Sequence, residues 1–464
     1  MKPYQLMIHP PANSLTNIFT EADDSILADG SLDPMGLRII WTSLGEAIFK
    51  NRINTISNNI RLYTFNLFHH HLIRDFEKKS PSLFRKALGR VPYGNENDLR
   101  EGLVIFLECL QAHIVLHTRD EYAHTEEAFV PGMSKLDGIT RTRSNSPMAT
   151  RIKANRNEGI LVRQIGLGIH GRHKGPFTQM EIFGHGDYYP DNELWDGIAD
   201  LFQLIPEWAE LKRHVDQLLR QLLNGPLGKT GFEMQVVTFL DNEPLAKAYN
   251  SCFEPRVYQH PQLVYFWEDK LGLHKDTAKA IYQAVAADPE AGSSALMHAA
   301  SAFAKQNVFR IEAILRIEPF LSMVNKIILR LLQRGTINVN QEIKTFVDFW
   351  LKKRLLLPDD HYISTLYLSE AACARLKKLV DICGVYEDET QVEDIVRQLL
   401  YYHQNILSQR GNLPWLSFSD GRIRLHRSYF YNQNQLADLS NDNWVNTYYI
   451  PSLQNIYKGL HRVS

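Results

Sequence analysis

The residues of this chain best suited to chemistry are cations. From Arg141 to Lys174 the sequence reads RTRSNSPMATRIKANRNEGILVRQIGLGIHGRHK, with eight Arg and Lys (141, 143, 151, 153, 156, 163, 172, 174) against one acid, Glu158. The remainder carries 43 basic and 51 acidic residues, so a band of net charge +7 lies inside an otherwise acidic protein. Such a band suits a polyanion, because each phosphate it neutralises releases a condensed counterion. Within it, Gly166-Leu-Gly168-Ile-His-Gly171 is a literal GxGxxG. A dinucleotide fold needs a helix after those glycines, and Gly175-Pro176 should stop one almost at once. The glycines read better as a turn whose bare N–H groups, with Arg163, His170, Arg172, His173 and Lys174, cradle nucleic-acid phosphates. Arg141, Arg143, Arg151, Lys153 and Arg156 would extend the track. An exposed basic loop against the acidic remainder, or against an acidic partner, accounts for the same residues.

Other constellations carry less. GPLGKT at 225–230 lacks the glycine that a P-loop needs at position 223, which is leucine. His69-His70-His71 would sit on a helix, where three successive side chains point in three directions and chelate nothing together. His113 and His117, four apart, resemble half a zinc site but have no HExxH and no cysteine beside them. No GxSxG occurs, and Cys109 and Cys252 lie in no glycine-rich or histidine-rich setting. Pro358-Asp359-Asp360 and Glu342-Ile-Lys344 hold nuclease residue types in the wrong order. No metal, cofactor or catalytic residue is therefore assigned. A second basic cluster, Arg422 and Arg424 with His426 and Arg427, precedes Tyr429, Phe430 and Tyr431; cations beside aromatics suit both phosphate contact and base stacking.

The elements that must position these residues are mostly helical. Asp33-Pro34 suits a helix start, a second helix is expected from Ser57, and a third from about Asp98 to His117. Between Ala128 and Tyr189 the texture turns Gly- and Pro-rich. ILVRQIGLGI and FTQMEIF read there as strands around the loop HGRHKGP, or MATRIKANRNEGILVRQIG as a helix ended by Gly166. The stretch from 192 to 224 reads as two helices split at Pro206. Helical patterns follow over 263–290, 294–334, 338–355, 369–383 and 390–409. WLSFSDGRIRLHR is a hairpin turning at Asp420-Gly421, and NWVNTYYIPSLQNIYKGL is apolar enough to dock. The expected class is mainly α: an irregular multi-helix protein with a small β-containing basic insert and a C-terminal β-hairpin. Its segments are 1–127, 128–190, 191–410 and 411–464.

Composition narrows the class further. A pI near 7 argues against a histone-like or ribosomal-type protein whose whole surface binds nucleic acid, so any such contact is local. Four scattered cysteines (109, 252, 373, 383) without a CxxC argue against a zinc ribbon or a disulfide framework. Neither a secretion signal nor a membrane-length apolar run is visible, which leads us to expect a cytoplasmic protein.

SLDPMGLRIIWTSLGEAIFKNRINTISNNIRLYTFNLFHHHLI resembles the N-terminal segment of uncharacterised bacterial proteins from restriction and phage-defence gene clusters. The shared features are a D-x-x-G motif (Asp33 to Gly36), an IF[P/K] step (Ile48-Phe49-Lys50) and a T-[IV]-[ST]-x-x-I-R helix (Thr55 to Arg61). The resemblance covers about the first fifth of the chain. It implies a context, a multi-subunit antiviral defence complex handling nucleic acid, and no catalytic residue. The expectation is thus a non-enzymatic subunit, nucleic-acid-binding or scaffolding, whose partners are a DNA or RNA backbone and other protein subunits, with no membrane. A metal-dependent nuclease with dispersed carboxylates and a pure protein-interaction scaffold are the alternatives.

Overall fold

Two helices are buried on almost every side, and the larger part of the chain is built around them. The histidine helix, Ile60–Lys79, is capped by the Asn59 side chain, which accepts from the Arg61 N–H. The glutamate helix, Glu96–Thr118, is capped by Asn95 accepting from Asp98. Asx caps of this kind satisfy N–H groups that the first helical turn leaves without partners. Leu67, Leu72, Leu103, Leu107 and Leu110 are fully buried, and polar residues such as Asn66, His69, His70, Glu108 and Gln111 are buried with them.

The structure is a computed structural model that describes residues 33–91, 95–119, 130–142, 146–304, 309–334, 340–352, 358–366, 368–419, 422–425 and 443–461. The chain is mainly helical. Its described strands form two small antiparallel pairs, β1 (Arg151–Ala154) with β2 (Phe232–Gln235) and β3 (Leu416–Ser419) with β4 (Arg422–Leu425). Residues 33–43 and 316–446 belong to one compact unit, and 44–315 with 447–461 to the other. These boundaries differ from the changes of texture at 127, 190 and 410.

In the first unit the D-x-x-G segment is a latch. Asp33 accepts from the Leu37 N–H at 2.6 Å and pairs with Arg410 at 2.8 Å. Gly36 turns left-handed at φ +64°, where a Cβ would collide with the Arg375 guanidinium. The helix therefore starts at Arg38, not at Pro34. Helices Gln341–Lys352, Glu370–Gly384 and Val392–Gln409 follow, the last packing on β3. The hairpin has the register expected of a two-residue turn, Ser419 opposite Arg422; Asp420 and Gly421 lie outside the described residues.

The second unit holds the basic band. The expected split at Pro206 is present: Ile205 is extended between helices Asn192–Leu204 and Pro206–Asn224. The docking segment is the helix Ile450–Leu460, with Ile450, Leu453, Ile456 and Leu460 buried. The band itself departs from expectation. β1 falls on RIKA, within the segment read alternatively as a helix, and its partner β2 comes from beyond residue 190. The two expected strands are replaced by a short helix, Gln164–Leu167, and a longer one, Ile169–Gln179, that runs through Gly175-Pro176. An interior proline leaves the carbonyl four residues earlier without its helical donor. Here that carbonyl belongs to Arg172, and the Ser57 hydroxyl donates to it at 2.8 Å. Ser57 thus does not begin the second helix; it repairs another one.

Candidate functional site

The glycine motif is filled from inside. At the start of the helix Ile169–Gln179, the His170 N–H donates to Glu108 Oε1 at 2.5 Å, and Gln164 Nε2 donates to Oε2 at 2.7 Å. A Cβ on Gly168 would lie 2.1 Å from Glu108 Oε2, and one on Gly171 only 2.2 Å from the Gly166 carbonyl oxygen. Gly168 therefore allows a carboxylate of the protein's own core to approach, in the place a bound phosphate was expected to take. Full burial pushes the Glu108 carboxyl up to about 7, against the pull of these hydrogen bonds.

The two histidines of the motif are likewise turned inward. His170 and His173 have no exposed surface, so neither contacts a phosphate, which corrects the expectation from sequence. His173 Nδ1 bonds to the Ile169 carbonyl at 2.7 Å, and its ring meets the edge of Tyr63 at 4.4 Å. His170 joins a hydrogen-bonded chain across the core. Tyr189 Oη lies 3.2 Å from His70 Nδ1, His70 Nε2 lies 3.0 Å from His170 Nδ1, and His170 Nε2 lies 3.4 Å from Tyr188 Oη. Tyr188 donates onward to Glu101 Oε1 at 2.5 Å.

The end of this chain fixes its direction. Because the Tyr188 proton goes to Glu101, the Tyr188 oxygen accepts from His170 Nε2–H. His170 Nδ1 is then an acceptor and takes the proton of His70 Nε2–H. His70 Nδ1 in turn accepts from Tyr189. Every imidazole in the chain is neutral, in agreement with burial, which pushes His170 down to about 3 and His70 well below its ordinary value. His69 and His71, the neighbours of His70, face other groups: Phe65 in one case, Phe202 in the other. The triplet points three ways, as its helical spacing implies.

Most cations of the band are matched by acids of the same chain. Arg141 pairs with Asp137 at 2.9 Å, Arg151 with Glu233 at 3.1 Å and Lys153 with Glu158 at 2.6 Å. Arg156 bridges Asp98 and Glu101, the latter at 3.3 Å. Lys174 reaches the Tyr188 hydroxyl at 3.2 Å and Glu101 at 3.9 Å, and stays more than half exposed. Arg172 donates from Nε to the Leu167 carbonyl at 3.0 Å, and Arg163 is exposed just before the short helix. Arg143 lies outside the described residues. The band is therefore a set of ion pairs with Arg163, Arg172 and Lys174 at its outer side, on and beside a helix held from beneath by Glu108, His170 and His173.

On the hairpin, Arg422 and Arg424 are exposed opposite Ser419 and Ser417, while Ile423 points into the first unit. Arg397 lies over the ring of Phe418 at 4.9 Å. Tyr429, Phe430 and Tyr431 lie outside the described residues. His113 is buried and His117 exposed, and among the described residues no group of three or more His, Cys, Asp or Glu is placed to hold a metal. Among those residues, too, no helix is long and apolar enough to cross a membrane.

Sequence reasoning missed Glu101, Glu108, Gln164, Tyr188 and Tyr189. All five act through contacts between segments far apart in the chain, and only the paired tyrosines after a Gly-rich turn offered any local signal. Compared with known proteins, the chain matches no family model, no curated protein and no solved structure.

Proposed function

We propose that this protein is a non-enzymatic subunit that contacts the phosphate backbone of nucleic acid, or scaffolds proteins that do, within a bacterial antiviral defence or restriction assembly. The observation that carries the contact is the mounting of Arg172 and Lys174. They stand on the outer side of a helix whose inner side is locked by Glu108, by His173 packed on Tyr63, and by Ser57 on the Arg172 carbonyl. Cations on a rigid element lose little freedom when they meet phosphate, which favours contact over loose screening. The wider track expected from sequence contracts accordingly. Arg141, Arg151, Lys153 and Arg156 serve carboxylates of the same chain, and Lys174 lies 3.9 Å from Glu101; Arg163, Arg172 and Lys174 carry the proposal through their place on and beside the locked helix. The defence context rests on the resemblance of the first fifth of the chain.

The test is fluorescence anisotropy with labelled DNA and RNA over a series of salt concentrations. The wild type is compared with the Arg163/Arg172/Lys174→Ala triple variant, its fold checked by circular dichroism. Three lost phosphate contacts should flatten the logarithmic salt slope by roughly two to three. No affinity at low salt, or an unchanged slope in the variant, overturns the proposal. Repeating the binding samples on a gel with Mg²⁺ exposes any cleavage.

A further inference from the structure

Beside β1 a cleft of about 210 Å³ opens between the glutamate helix and the loop that precedes the short helix Gln164–Leu167. Its aliphatic lining is Ile152, Ile160, Leu161 and Val162, and Cys109 and His113 of the glutamate helix line it too. Val162 is 84% exposed, an unusual setting for a β-branched apolar side chain that forms one wall of a cleft. The polar part is equally specific, with the Asn157 amide and the Glu158 carboxylate on the same lining. Arg151 and Lys153, alternate residues of β1 and so on one side of the strand, also line it.

This combination selects a ligand class. The volume lies below the roughly 300–1,000 Å³ of sites that enclose a drug-sized molecule, so the cleft suits one ring system and not an extended ligand. Aliphatic walls accept a flat apolar face. An amide and a carboxylate beside them match the mixed donors and acceptors of a heterocycle edge, the carboxylate taking an exocyclic amine. Cations at the rim match an anion attached to that ring. A nucleotide has all three parts. Bases stacked inside a duplex cannot enter such a cleft, whereas an unpaired base turned out of its strand can. An apolar peptide side chain would satisfy the walls but leave the rim and the polar lining unused.

Building on the phosphate contact proposed above, we infer that this cleft receives one unpaired base of a single-stranded nucleic acid. In that arrangement Arg163, one residue beyond Val162, carries the strand onward over the band, while Arg151 and Lys153 turn from Glu233 and Glu158 to the flanking phosphates when the strand binds. The Lys153–Glu158 ion pair opens enough for Lys153 to turn to phosphate and Glu158 to the base edge. The partner is thereby a single strand and not a duplex.

Abasic substitution tests this without altering the protein. Anisotropy is measured for the full chain with a labelled single strand, with the same strand carrying abasic sites throughout its central part, and with the corresponding duplex. The intact strand should bind about tenfold more tightly than the abasic one, the size of effect expected for one lost stacking contact, and more tightly than the duplex. A Leu161→Trp variant, which fills the cleft from a half-buried position, should bind both strands like the abasic form while keeping the wild-type salt slope. Equal affinity for intact and abasic strands, or a duplex bound as well as the strand, overturns the cleft inference and leaves the phosphate contact standing. Absence of binding to any of the three at low salt overturns both.

Discussion

Pro176 lies inside a helix, and Ser57 donates to the carbonyl it leaves bare, that of Arg172, 115 residues further along the chain. Ser57→Ala should strand that carbonyl where water has little access, since Ser57 is fully buried. An unsatisfied buried acceptor costs about 1–3 kcal/mol. The same replacement in a Pro176→Ala background should cost far less, because an alanine in place of the proline restores the N–H that belongs to the Arg172 carbonyl. Subtracting the two effects isolates the coupling, expected at about 1–2 kcal/mol and independent of whatever packing Pro176 itself loses. Hydrogen exchange followed by mass spectrometry on peptides spanning 169–183 reads local opening directly, so two-state unfolding of the whole chain need not be assumed. Protection there should drop about tenfold in Ser57→Ala against wild type. It should change little in Ser57→Ala/Pro176→Ala against Pro176→Ala. Equal losses in both backgrounds, or no loss in the first, would refute the account of how this helix tolerates its proline.

Two further predictions follow from the buried groups. His69, His71 and His170 are pushed by burial to about 3 and His173 to about 4, from an ordinary 6.5, and His70 well below it. A depressed folded value means stability that is whole above about pH 6.5 and is lost as the pH falls, at up to about 1.4 kcal/mol per pH unit for each site. Glu108 opposes this, because its raised value means stability held below its ordinary 4.5 and lost as the pH climbs to about 7. With six histidines, the buried and likewise depressed His403 included, against two raised carboxyls, Glu108 and Asp216, Tm should fall from pH 6.5 to pH 5, and Glu108→Gln should steepen that fall; a Tm that rises toward acid would contradict the assignment. In thermal melts Gly168→Ala should destabilise by roughly 1–3 kcal/mol, because the new methyl meets the Glu108 carboxylate. Gly166→Ala meets nothing within 4 Å and should be near neutral.

What could be read in advance was local. Pro206 splits a helix pair because an extended residue before proline is a property of the dipeptide itself. Asp420-Gly421 marked the hairpin, and helical spacing located the histidine and glutamate helices to within a few residues. The basic band, read as two strands or as one helix ended by Gly166, follows neither reading because its deciding partners are remote. Ser57 rescues a helix that Gly175-Pro176 should end, and Glu108 fills a glycine turn that looked built for phosphate. His170 looked like a surface ligand because three cations, Arg163, Arg172 and Lys174, stand within seven residues of it. Helical phase turns it toward His70, 100 residues earlier, and no local pattern announces such a pair. Net charge counted the band correctly but could not see that Asp98, Glu101, Asp137 and Glu233 were waiting for it.

The helix Ile450–Leu460 belongs to the same unit as residues 44–315, although residues 316–446 of the other unit intervene. Gly459 lies so close to Ile60, at the start of the histidine helix, that a methyl on it would come within 2.6 Å of the isoleucine side chain. During synthesis the larger unit therefore cannot close when its first 272 residues have emerged. The ribosome must first deliver the whole intervening insertion, and until residue 460 appears the surface around Ile60 stays open to solvent and to chaperones. The order of assembly is thus interleaved: residues 33–43 wait for 316–446, and residues 44–315 wait for the final helix.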